Sequence, residues 1–243
     1  MITRILLSAA LLAASARAQQ DWHEGLCKSS VDASLSFPVA GVLSKVLVKE
    51  GDIVKSGQAL MELESDTEAL EVERQSLAVD ASRKDYERTK NAFARGGSIT
   101  QEELDQKEAV WRIALVEKQQ AEAQLKRRRL LASADGIVQD LFDLDRGEAV
   151  APNTPAVRVV NTTFCHFTIY VDGNEKTGYA AGREVEIIVN SDDGEKTVSG
   201  TIDFTAPALD AGSGLQEIRA VFTNPDGKIK GGAKGKMKLK AKS

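Results

Sequence analysis

Hydrophobic and polar positions change rhythm twice along the chain. Over residues 38–63 the apolar residues come in short alternating bursts broken by Gly41, Gly51 and Gly57, the period-two pattern of half-buried strands between turns. From Asp66 to Leu130 there is no proline, and the only glycines are the adjacent Gly96 and Gly97. Ala, Glu, Gln, Lys, Arg and Leu dominate that stretch, which is the composition of long helices. Leu70 and Leu77 mark a heptad seam before the glycine pair; Leu104, Trp111, Ala114, Ala121 and Leu125 mark one after it. This predicts two antiparallel helices in a thin coiled-coil hairpin roughly 40 Å long. Strand rhythm then returns. Cys165, Phe167, Ile169 and Val171 alternate, as do Val185, Ile187 and Val189; Val198, Ile202, Phe204, Ile218, Ala220 and Phe222 complete the predicted inward faces. A helical turn is expected near 175–180, a hairpin turn at Asp193-Gly194, and a lysine-guarded edge strand over 234–242.

The two strand-rich stretches flanking the helices resemble one another. Gly41 answers to Gly136, Gly51 to Gly147, Val54 to Val150, and Met61 and Leu63 to Val157 and Val159, an offset of 95 or 96 throughout. Neither half has enough strands to stand alone. Together they are expected to form the flattened double sheet of a biotinyl/lipoyl-like domain, split by the hairpin.

The stretch LESDTEA, residues 63–69, resembles the attachment site of a lipoyl carrier, but Thr67 stands where the carrier lysine would be. A hydroxyl cannot form the stable amide that holds lipoate or biotin, so no cofactor is expected. Ser65 followed by Glu68 reads instead as a capping box, with Asp66 and Glu68 at the positive end of a helix dipole. At the far end Arg127, Arg128 and Arg129 read as a solvated, dipole-matched helix terminus.

The N-terminus has a basic start, an apolar run over 5–14 and an Ala16-Arg17-Ala18 site, the pattern of a secretory signal cleaved near Ala18. The formal charge of -4 becomes -6 when Arg4 and Arg17 are removed. An acidic balance argues against a nucleic-acid partner; the hairpin carries 13 acids and 13 bases. Cys27 and Cys165 are the only cysteines. In an oxidising compartment they are expected to bridge, with two buried free thiols as the alternative.

A lipoyl-like domain split by a helical hairpin in an exported chain resembles the periplasmic adaptors, or membrane fusion proteins, of tripartite efflux and secretion systems. Residues 200–232 are similar to their β-barrel segment: a Gly-x-Ile strand, a Pro-x-x-Asp turn, an Arg-Ala strand and an Asn-Pro-x-Gly turn in that order. The resemblance covers roughly 31–239 and is closest to adaptors of resistance-nodulation-division (RND) pumps. The expected fold is mainly β with a long α-helical hairpin. Its parts are a signal peptide (1–18), an N-terminal segment with the first barrel strand (19–37), lipoyl-like half 1 (38–64), the hairpin (65–130), lipoyl-like half 2 (131–161) and the β-barrel (162–243). Because the chain ends at Ser243, the family's membrane-proximal domain is expected to be absent or reduced.

The resemblance further implies that Arg88, Phe93, Gly96, Gly97, Ser98, Ile99, Thr100, Leu104 and Asp105 form a tip that meets an outer-membrane channel. Gly97-Ser98 makes that turn longer than the family's. The implied partners are an inner-membrane transporter, RND-type first, and other copies of the chain in a trimer or hexamer, with peripheral attachment to the inner membrane. The alternatives are an adaptor for an ATP-driven exporter and a non-pump periplasmic binding protein of the same fold. No enzyme activity is expected. The chain has no Walker loop, dinucleotide fingerprint or G-x-S-x-G. Its two histidines, His23 in a flexible start and His166 facing solvent, lie in no metal-spaced pattern.

Overall fold

The computed structural model describes residues 22–96, 98–173 and 178–240. The signal segment and Gly97 lie outside the described residues, as does most of the expected turn at 175–180; residues 178–180 are not helical. The chain divides into two compact units, one spanning Ala33–Val159 and one made of the chain on either side of it.

The described strands begin with β1 (His23–Ser36), followed by β2 (Gly41–Val46), β3 (Ile53–Val54) and β4 (Ala59–Leu63). After the two helices come β5 (Arg129–Leu131), β6 (Gly136–Leu141), β7 (Ala149–Val150) and β8 (Pro155–Asp172). Within Ala33–Val159 the halves exchange strands. β5-β4-β2-β7 form one sheet, and β8, β6 and β3 are neighbours in the other. The pairing repeats as the sequence does: Gly41 opposes Val150, and their counterparts Gly136 and Val54 oppose each other.

The turns repeat too. Gly51 N–H donates to Val138 O at 2.8 Å, and its counterpart Gly147 donates to Leu43 O at 2.8 Å. Both glycines have left-handed backbones, at φ 87° and 91°, a conformation that penalises any Cβ. The core filled this way includes Leu43, Val54, Leu60, Met61 and Leu63 from one half, and Val138, Val150, Ala156, Val157 and Val159 from the other. Each half supplies the partner strand and the apolar face that the other lacks.

Between β4 and β5 run α1 (Asp66–Ala94) and α2 (Gln101–Arg127). The predicted seam holds for α2, where Ala114 and Ala121 are buried and Leu104, Trp111 and Leu125 half-buried. It fails for α1. Leu70 and Leu77 are 65% and 66% exposed, while Gln75, Val79 and Thr89 are buried. The true heptad of α1 runs through Val72, Gln75, Val79, Ser82, Tyr86 and Thr89, three or four residues apart. It is too polar to read as a hydrophobic stripe. Small and polar residues suffice because α2 presents alanines that allow close approach, and Tyr86 stacks on Trp111 with ring centroids 5.4 Å apart.

Two end assignments are also corrected. Ser65 stands at the N-cap of α1 but its side chain makes no capping bond. Glu68 is drawn away to Arg128, whose Nε donates to Glu68 Oε1 at 2.9 Å and whose Nη1 donates to Ala40 O at 2.8 Å. The arginine triplet is therefore not a free solvated end. Arg128 ties both helices to the lipoyl-like sheet, and Arg129 pairs with Glu62 at 3.2 Å.

The other unit is a closed barrel. β9 (Glu184–Ser191), β10 (Gly194–Thr205), β11 (Leu215–Thr223) and β12 (Lys234–Leu239) join β1 and β8 in the cyclic order β1-β12-β9-β10-β11-β8, with β8 pairing back to β1. Cys27, Phe167, Ile169, Val185, Ile187, Val189, Ile202, Ile218, Ala220, Phe222 and Met237 fill it. Gly25 and Gly235 oppose each other at one level. A Cβ on Gly25 would lie 2.2 Å from Thr168 O, so only glycine lets β1 approach β8 there. Three expectations are corrected here. β12 is not an edge, because it pairs with β1 on one side and β9 on the other. His23 begins β1 opposite Met237 and packs edge-on against Tyr179, so it is not part of a loose start. Phe204 is 37% exposed rather than inward, because the register shifts between Ile202 and Phe204.

Candidate partner-binding site at the hairpin tip

The tip is built by the end of one helix and the start of the next. α1 stops at Ala94; Gly96 N–H donates to Phe93 O at 3.1 Å, and Gly96 has φ 74° with open space around its α-carbon. α2 begins when Thr100 accepts a hydrogen bond from Glu103 N–H at 3.2 Å, satisfying one of the amides left free in a first helical turn. Glu102 and Glu103 add acidic charge where the helix dipole favours it.

Of the nine residues expected at the tip, the structure describes eight, all at this end of the hairpin. Phe93, Gly96, Ser98, Thr100 and Asp105 are exposed, and Ile99 and Leu104 are half-buried. Asp105 accepts from Gln101 Nε2 at 2.7 Å. Arg88 stands about two turns back from the end of α1 and reaches Asp85 at 3.5 Å. Gly97 is outside the described residues. The end therefore presents an aromatic ring, two hydroxyls and separated charges of both signs around a half-buried apolar pair.

Sequence reasoning missed what stiffens this end. Lys107 donates to Asp85 across the helices at 2.7 Å, and that bond, with the nearby Arg88 charge, lowers the pKa of Asp85. Tyr86, against Trp111, also lies under the Lys90 ammonium, 5.6 Å from the ring centroid. None of these residues is unusual alone. Only the antiparallel alignment of the helices, which sequence spacing does not fix, brings them together.

The chemistry offered is that of contact. Among the described residues there is no group of three or more His, Cys, Asp or Glu that could hold a metal ion, and no helix long and apolar enough to cross a membrane. His166 is half-buried on the barrel's outer face, with Nδ1 3.7 Å from Asp203 Oδ2. Asp203 is already held by Arg219, whose guanidinium lies over the Phe204 ring. Thr67 is the second residue of α1, on a helix rather than at the hairpin turn a carrier lysine requires.

No family model matches the chain. An uncharacterised protein of Haemophilus influenzae is 28% identical over 203 residues, covering 84% of this chain and 52% of that protein. The toluene efflux pump periplasmic linker protein TtgD of Pseudomonas putida is 27% identical over 209 residues, covering 78% of this chain and 53% of TtgD. The chain thus spans about half the length of the curated relatives it matches. Among solved structures, a MacA-MexA chimeric protein carrying the Pseudomonas aeruginosa MexA α-hairpin domain has a TM-score of 0.74 at 18% identity, covering 90% of this chain and 80% of the chimera. The shared fold is mainly β, with a helical hairpin and a β-barrel.

Proposed function

We propose that the chain belongs to the periplasmic adaptor, or membrane fusion protein, family and serves as the adaptor of a tripartite efflux pump, linking an inner-membrane transporter to an outer-membrane channel. The observation that carries this reading is the long, thin hairpin inserted between two halves of one β domain. A two-helix arm with a small-residue seam buries too little to form a core, yet its base is anchored to the sheet by Arg128. An arm fixed at one end and open at the other is suited to present its tip to a partner. The tip residues Arg88, Phe93, Gly96, Gly97, Ser98, Ile99, Thr100, Leu104 and Asp105 are its contact surface with the channel. The transporter is of the RND class, and copies of the chain assemble side by side as a trimer or hexamer in the periplasm. The role is to hold a conduit closed against leakage and to pass on the transporter's motion, with no reaction of its own.

Thr100→Asp tests the tip. Aspartate is as good an N-cap as threonine, so α2 keeps its start while the tip gains a charge. Export in cells that depend on this chain is expected to fall to the level of a deletion, with unchanged helix content by circular dichroism. Unchanged export by a folded Thr100→Asp protein overturns the assignment of the tip.

A further inference from the structure

The barrel contains a chemical feature that the adaptor role does not use. Cys27 on β1 and Cys165 on β8 are both fully buried. They flank the inserted lipoyl-like unit, Cys165 lying 138 positions downstream of Cys27. The strands are paired. On one side of the cysteines Gly25 packs against Thr168, and on the other Ser30 Oγ donates to Asn161 O at 3.1 Å. Residue numbers fall along β8 as they rise along β1 between these two contacts, which brings Cys27 level with Cys165. Both are free thiols, and each shifts the pKa of the other.

We propose that Cys27 and Cys165 are a disulfide-forming pair that bolts β1 to β8 and closes the barrel covalently around the point where the lipoyl-like unit is inserted. The surroundings suit the oxidised state. The Cys165 thiol donates to Thr162 O at 3.4 Å, a bond that oxidation removes. Thr162 O keeps a partner, because Asn224 Nδ2 donates to the same carbonyl at 2.9 Å. Oxidation therefore orphans no buried acceptor.

In the folded barrel neither sulfur is open to solvent, which keeps external disulfides away. The hydrogen bond between them and burial raise the Cys27 pKa, while the same bond lowers that of Cys165. The bond forms while β1 is still docking. A thiolate of one cysteine attacks a sulfur of an external disulfide, either oxidised glutathione or an oxidoreductase, and displaces one thiolate from it. The second cysteine then attacks the protein sulfur of the mixed disulfide and displaces the other thiolate. Two protein thiols lose two protons and two electrons, and the external disulfide is reduced to two thiols.

Maleimide labelling of the full chain, exported to an oxidising compartment and unfolded without reductant, reads the outcome. The expected result is no label before reduction and two labels after it, on a species that runs as a monomer without reductant. Reductant should also lower the thermal midpoint of the wild-type chain while leaving that of a Cys27→Ala/Cys165→Ala variant unmoved, which separates the bond from any packing effect of the substitutions. Two labels before reduction, retained after refolding in a glutathione redox buffer, overturn the proposal. So does a disulfide found only between two molecules.

Discussion

Arg128 and Glu68, sixty residues apart, meet at the base of the hairpin, the arginine Nε donating to Oε1 at 2.9 Å while its Nη1 holds Ala40 O at 2.8 Å. Their side chains are only 24% and 20% exposed. One guanidinium thus ties together the first turn of α1, the C-cap of α2 and the loop that leads into β2. A partly buried charge left alone costs more than the pair gains when it forms. Arg128→Ala is accordingly expected to cost about 2–3 kcal/mol in denaturant unfolding. Arg128→Lys should recover only part of this, because an ammonium cannot reach both partners as a fork. In a double-mutant cycle with Glu68→Ala the losses should fall short of additivity by about 1 kcal/mol or more. Additive losses would mean that the contact is incidental.

The seam of α1 makes a second prediction, opposite to the one its leucines suggest. Leu77→Ala removes a side chain that is 66% exposed and should change stability by less than about 0.5 kcal/mol. Ala121→Leu places three extra carbons at a 7% exposed position on the α2 seam and should cost about 1–3 kcal/mol. Thermal melting followed by far-ultraviolet circular dichroism checks both.

Those leucines mark where the sequence was legible and where it was not. The split β domain could be read because Gly51 and Gly147, Val54 and Val150, and Met61 and Val157 each face the same local demand, so the chain states that demand twice. The hairpin could be read from its composition. Its seam could not, since Gln75, Ser82 and Thr89 carry no hydrophobic signal and acquire their burial only from α2. The tip segment was locatable from its glycine turn and from Thr100. The braces behind it, Asp85 with Lys107 and Tyr86 with Trp111, depend on the register between helices and had no local signature. The barrel was expected from the resemblance, but the place of β12 in it was hidden for the same reason. β12 alternates lysines as an edge strand does, but pairing on both sides is a property of the ring.

Asn224 supplies a third prediction. It reads as the first residue of an Asn-Pro-Asp-Gly turn, yet it is only 1% exposed. Its Nδ2 donates to Thr162 O and Ile229 O, both at 2.9 Å, and its Oδ1 accepts from Ile229 N–H at 3.3 Å. Asn224→Ala removes all three bonds at a buried site, leaving Thr162 O only the 3.4 Å bond from the Cys165 thiol, and should cost about 2–4 kcal/mol. Asn224→Asp replaces the donor with a buried acceptor and should be no better. Equilibrium urea unfolding of the two variants decides it.

Acid should weaken the hairpin in a defined window. Hydrogen bonds from Arg74 and Gln75 lower the Glu71 pKa from an ordinary 4.5 to about 2, and the bond from Lys107 lowers that of Asp85. Both groups have depressed folded-state values, so their contribution is complete above the unfolded pKa and lost as pH falls through the folded one. Helix stability is expected to hold above about pH 5 and to decline between about pH 4.5 and about pH 2. Glu71→Gln and Lys107→Met should each flatten that decline. A decline of the same slope in both variants would place its cause elsewhere.

The adaptor role is tested most directly by what travels with the chain. Tagged full-length protein is extracted from its native host in a gentle detergent, and the membrane proteins that co-purify are identified by mass spectrometry. The account predicts an inner-membrane transporter together with an outer-membrane channel, and loss of the channel but not the transporter with Thr100→Asp. Recovery of neither, from cells that express both, would contradict it.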